Sequence, residues 1–144
     1  MALLWQASPP ALAGLGGSVD SVQTDGAHLK AQVKDATSGA GYSVQELDLP
    51  SGTVVNEYLS PSGMVFGVSW HGPTIPNLSQ IFGSYFQQYA AAAQAAPHNA
   101  GTRRHFQVSA SDLVVQSNAR MRSYIGRAYV PSLLPPNVTA AVIQ

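Results

Sequence analysis

The stretch "YSVQELDLPSGTVVNEYLSPSGMVFGVSWHGP", residues 42–73, constrains the fold of this chain more than any other. It contains three runs rich in β-branched and aromatic residues, with Pro-Ser-Gly at each junction, at 50–52 and again at 61–63. Proline presets the first central torsion of a tight turn, and glycine accepts the backbone angles needed on leaving it. Two such turns between strand-like runs predict a three-stranded antiparallel meander over residues 42–71. Alternation along the third run places Met64, Phe66, Val68 and Trp70 on one face. Val65, Gly67, Ser69 and His71 fall on the other.

The prolines of "GPTIPN" stop the third strand, because each removes a ladder donor. Asn77 and Gln80 then make a pair resembling a capping box. Leu78, Ile81, Phe82, Tyr85, Phe86, Tyr89, Ala92 and Ala93 follow at helical spacing. They predict one long amphipathic helix over 77–96, a rod of about 30 Å that ends before Pro97. Its polar side carries serine and glutamine but no charge, unlike the basic face of a helix that lies on a membrane. That side suits a solvated surface or weak self-association.

The remaining segments extend the sheet. "HLKAQVKD" alternates Leu29, Ala31 and Val33 inward as a half-buried strand, and "SVDSVQTDGAHL" before it reads as a short helix or a turn. "ATSGAG" reads as a loop, and "HFQVSA", "LVVQSN" and "RMRSYIGRAYV" read as further antiparallel strands. "PSLLPPNVTAAVIQ" is a proline-punctuated tail. The expected architecture is α+β: an antiparallel sheet of five to six strands with the 77–96 helix packed across one face.

A chain of 144 residues fits one domain, here 14–144, with a core large enough to need no staples. Hydrophobic residues make up 45% and charged residues 10%, which argues against a disordered tail. Seven Lys and Arg balance seven Asp and Glu, so no net field attracts nucleic acid. The charges are nevertheless segregated. Residues 1–72 hold two lysines against six carboxylates, a net −4, while residues 73–144 hold five arginines against Asp112, a net +4. No cysteine is present, which excludes a disulfide framework and a thiolate site, and no run is long enough to span a membrane. "MALLWQASPPALA", residues 1–13, reads as the end of a secretory leader, with Ala11-Leu12-Ala13 as its cleavage site.

Few residues suggest chemistry. "GVSWHG" departs from a nucleophile elbow at its fifth position, which is His71 instead of glycine. His71 sits at a strand end near the expected helix start, where it could help the free backbone amides hold an anion. Arg120 and Arg122 alternate onto one face of a strand and could grip a carboxylate or phosphate, with Arg127 on the opposite face unless a bulge forms near Gly126. The plainer role for these arginines is pairing with the acidic meander. Glu46 and Asp48 share one strand face and read as solvated rather than as a catalytic pair. The histidines lack metal-ligand spacing, so neither a metal nor a cofactor is expected. The rival reading is a small hydrolase whose site assembles from His71, His105, Asp112 and a serine.

"GLGG", "LPSGTVVNEYLSPSGMVFGVSWHGP", "GSYFQQY", "LVVQS" and "GRAYVPSLLPP" together resemble the exported proteobacterial proteins grouped as domain of unknown function 2844. The resemblance implies a periplasmic, secreted or envelope protein, open to host antibodies, and carries over no catalytic residue. The expectation is a non-enzymatic module that binds a protein or an anionic envelope polymer through Arg120, Arg122 and His71, without nucleic acid, cofactor or membrane span.

Overall fold

The computed structural model describes residues 14–95 and 105–144. The leader-like residues 1–13 lie outside them. Both Pro-Ser-Gly turns form as their chemistry requires. The Gly52 amide donates to the Leu49 carbonyl at 3.0 Å and the Gly63 amide to Ser60 at 2.8 Å, with both glycines at positive φ. Each turn therefore has proline second and glycine fourth. They join β3 (Tyr42–Asp48), β4 (Val54–Leu59) and β5 (Val65–Gly72) into the expected meander.

One detail of β5 differs from simple alternation. Leu59 faces Val65 but Tyr58 faces Gly67, so Phe66 is an extra residue bulged out of register. Val65, Val68 and Trp70 consequently share one core, while Phe66 packs with Tyr58 and Ile143 on the opposite side. The expected grouping of Phe66 with Trp70 is thus corrected by the bulge.

Among the described residues the sheet has eight strands, more than the five or six expected. β1 (Gln32–Val33) and β2 (Thr37–Gly39) both pair with β3, and β2 lies within the stretch read as a loop. Its residues are all exposed and its pairing is backbone alone, so no hydropathy alternation marks it. A second meander, β6 (His105–Ala110), β7 (Leu113–Arg120) and β8 (Ser123–Tyr129), joins the first where β8 pairs with β5. The order across the sheet is β1-β3-β4-β5-β8-β7-β6.

Helices cover one face. Asn77 caps as expected, its side chain accepting from the Gln80 amide. The helical stretch runs as α2 (Leu78–Phe82), a 3-10 turn and α3 (Phe86–Ala95), interrupted at Gly83, whose φ is 54°. Phe82 is fully buried, 6.0 Å from the Trp70 ring and 5.2 Å from Tyr89. Trp70 in turn lies flat on β8, where a Cβ on Gly126 would fall 2.2 Å from the indole. The ladder is continuous there, with no bulge. α1 (Val19–His28) is a full helix that buries Val22. Leu15, Gly16 and Gly17 tie its leading segment to Ile81 and Val65 by backbone hydrogen bonds of 2.9–3.0 Å.

The tail covers part of the other face. Val138 and Ile143 pack on Tyr58 and Phe66. The Tyr58 hydroxyl donates to the Gln144 carbonyl and accepts from its amide, both at 3.0 Å, while Ser69 Oγ donates to the same carbonyl at 2.6 Å. Full burial of Ile143 contributes about 1.5–3 kcal/mol.

Candidate functional site

Cross-strand register sorts the tail-side face into rows. The row Val44–Tyr58–Gly67–Tyr129–Val114 includes the apolar residues beneath the tail. Beside it runs a wholly polar row, Glu46–Asn56–Ser69–Arg127–Gln116–Gln107. Beyond that lie His71, Ile125, Asn118 and His105, on four successive strands. All four are exposed, Ile125 at 55%. The tail reaches the polar row, where Gln144 lies over Ser69.

Beside Gln144 lies an open cleft of about 210 Å³ floored by Ile125 and Gly126. Gln116, Arg127 and Gln144 form one side and Asn118 and His105 the other. Arg127 Nε donates to Gln116 Oε1 at 2.9 Å, and its Nη1 donates to the carbonyls of Ala140 (3.0 Å) and Ile143 (3.3 Å). A guanidinium has five N–H donors, and Nη2 finds no partner among the described residues. His105 Nδ1 meets Asn118 Oδ1 at 2.7 Å, so Nδ1 donates and Nε2 is left as an acceptor in the neutral ring. Chemically the cleft offers the Arg127 guanidinium as a charge-assisted donor and His105 Nε2 as an acceptor beside one apolar floor residue, which suits an anionic or hydroxylated ligand.

The expected binding residues are partly brought together. Arg120 has the same parity as Asn118 and Gln116, so it shares the face of His71. Arg122 does not continue that strand. Arg120 pairs with Ser123 across a two-residue turn formed by Met121 and Arg122, both at positive φ. The turn carries Arg122 to the hairpin tip and returns Arg127 onto the face of Arg120. The sequence "RMRS" has no glycine or asparagine to announce such a turn. His71 is also displaced from its expected setting, for its face is opposite the helices and Asn77 alone caps α2.

Neither arginine pairs with the acidic meander. Glu46 and Asp48, on β3, bind Lys34 at 2.6 and 2.8 Å on the same face, three strands from Arg127. The hydrogen bond from Lys34 holds the Asp48 carboxyl below its usual range and pushes the lysine up. Among the described residues, no carboxylate forms an ion pair with Arg120 or Arg122.

The hydrolase grouping does not assemble. His71 and His105 stand three strand spacings apart, about 14 Å. Asp112 lies in the β6–β7 turn, where it accepts from the Ser132 hydroxyl at 2.6 Å. That is about 20 Å along the strand from Asn118. Among the described residues, no three His, Asp or Glu side chains converge to hold a metal, and no helix is long and apolar enough to cross a membrane.

Sequence reasoning missed a second polar feature. Asp25 on α1 and Glu57 on β4 are both fully buried and lie together between the helix layer and the sheet. Gln80 Nε2 donates to Asp25 Oδ1 at 2.6 Å, while Asp25 Oδ2 and both Glu57 oxygens lack conventional donors. Burial raises both carboxyls, and the neighbouring Asp25 pushes Glu57 further, well above the ordinary range. The available signal was Glu57 standing at inward parity between Val55 and Leu59.

These features define a single-sheet α+β protein with helices on one face and a half-covered polar platform on the other. A family model described as Protein of unknown function (DUF2844) matches residues 11–143, and the chain belongs to that family. No curated protein and no solved structure matches it.

Proposed function

We propose that this chain is an exported binding module that takes an anionic envelope polymer on the uncovered part of its sheet. The observation that supports the reading is the cleft beside Gln144, in which Arg127, Asn118 and His105 surround Ile125 and no Asp or Glu side chain is among the lining residues. Arg120 stands on the same face and Arg122 at the adjoining tip, and neither is neutralised by an ion pair among the described residues. An acidic chain crossing this face would meet the arginines in succession. Export rests on the leader-like residues 1–13. In the same location the face would be open to host antibodies.

The test is calorimetric titration with a uronic-acid oligosaccharide and with its carboxyl-reduced counterpart. Binding is expected for the acidic chain alone, weakening with added salt. Arg120→Ala/Arg122→Ala is expected to lower affinity about tenfold, corresponding to two surface charge contacts of about 0.7 kcal/mol each. Equal binding of both oligosaccharides, or an unchanged double variant, would defeat the proposal.

A further inference from the structure

The uncovered face leaves Asp25 and Glu57 unexplained. Two carboxyl groups with no exposure cannot both hold a charge so close together, because burial withholds the solvent that would offset it. Gln80 satisfies one oxygen of Asp25, and the nearby Gly14 backbone favours its charged form. Among the described residues, Glu57 has no conventional donor at either oxygen. The missing donor is a proton on one carboxyl, shared with the other.

The position of the pair gives that proton a role. Asp25 belongs to α1, Gly14 to the segment leading into it, Gln80 to α2 and Glu57 to the sheet. Glu57's neighbours in register are Gln45 and Val68, neither of them charged. His28, one turn along α1, is the other titratable group acting on Asp25, and its positive form favours the anion. Backbone hydrogen bonds from Leu15, Gly16 and Val65 hold the leading segment, but among the described residues the only polar side-chain contact under α1 is this carboxyl pair with Gln80.

We propose that Asp25 and Glu57 form a proton-held clasp: one shared proton fastens residues 14–28 to the sheet, and its loss releases that layer while the two meanders stay folded. In the closed state the pair keeps its proton at pH values where a solvated pair has lost it. Opening then liberates one proton, and the opening equilibrium rises tenfold per pH unit over that interval. Release would uncover Leu15, Val22 and the sheet beneath them, an apolar surface hidden at lower pH.

Hydrogen exchange read by mass spectrometry tests this on the intact chain, between pH 5 and 9 and corrected for intrinsic rates. Peptides covering 14–28 should lose protection by about tenfold per pH unit until the closed pair ionises, while peptides covering 113–129 stay level. Glu57→Gln supplies a permanent amide donor to Asp25 and should abolish that slope. Asp25→Asn supplies one to Glu57 and should do the same, so the test survives if either variant folds poorly. An equal slope in wild type and in a folded variant would overturn the clasp. A loss of protection shared equally by 113–129 would overturn it as well, since the opening would then be global.

Discussion

The turn at Met121-Arg122 determines which arginines share a face, and its backbone makes a prediction of definite sign. Both residues have positive φ, 34° and 64°, in a two-residue connection between Arg120 and Ser123. Left-handed backbone costs an ordinary L-residue about 1–2 kcal/mol. Asparagine and glycine are the residues such a turn prefers. Met121→Asn/Arg122→Gly should remove about 2–3 kcal/mol of strain, offset by about 1 kcal/mol for the added freedom of glycine in the unfolded chain. Met121 is fully exposed, so its replacement forfeits no packing. The expected gain is about 1–2 kcal/mol, read as a higher urea midpoint at unchanged slope. Met121→Val/Arg122→Val should lose at least about 1 kcal/mol, because branched side chains tolerate positive φ least. A straight strand through Arg122 would reverse both signs, since valine suits a strand and Asn-Gly breaks one. That reversal would refute the hairpin and return Arg127 to the opposite face.

Three further outcomes follow from the packing. Phe82→Ala should cost about 3–5 kcal/mol in urea unfolding, because the ring fills the space between Trp70 and Tyr89. Tyr58→Phe removes the hydroxyl that both donates to and accepts from Gln144, and should cost about 1–2 kcal/mol with faster proteolysis of the tail. The raised carboxyls of Asp25 and Glu57 stabilise the fold most fully below their unfolded values near pH 4, and that contribution is lost as pH rises through the folded ones. Thermal unfolding should therefore show stability declining on the alkaline side, and Glu57→Gln should flatten the profile.

Much of this fold was legible because it is written locally. Pro-Ser-Gly twice, Asn77 as a cap and the spacing of Phe82 and Tyr89 each act within a few residues, so the first meander and the helical layer could be read directly. What escaped depends on partners distant in sequence or on geometry without a residue signature. β2 pairs through its backbone alone, Phe66 changes faces through a one-residue slip, and Met121-Arg122 turns without glycine. The candidate site was half visible. Arg120 and His71 were identified, but Arg127, Asn118 and His105 join them only through the β5–β8–β7–β6 register. Asp25 and Glu57 are separated by the whole of β1–β3, and only the packing of α1 on β4 reveals that they meet.

The most direct measurement is a nuclear magnetic resonance titration of the ¹⁵N-labelled chain with a uronic-acid oligosaccharide. Amide shifts are expected to cluster at His105, Asn118, Arg120, Ile125 and Arg127, to extend to His71, and to vanish in high salt. Shifts confined to the helix side around α1 and α3, or salt-insensitive shifts spread without regard to face, would contradict a binding role for this sheet surface.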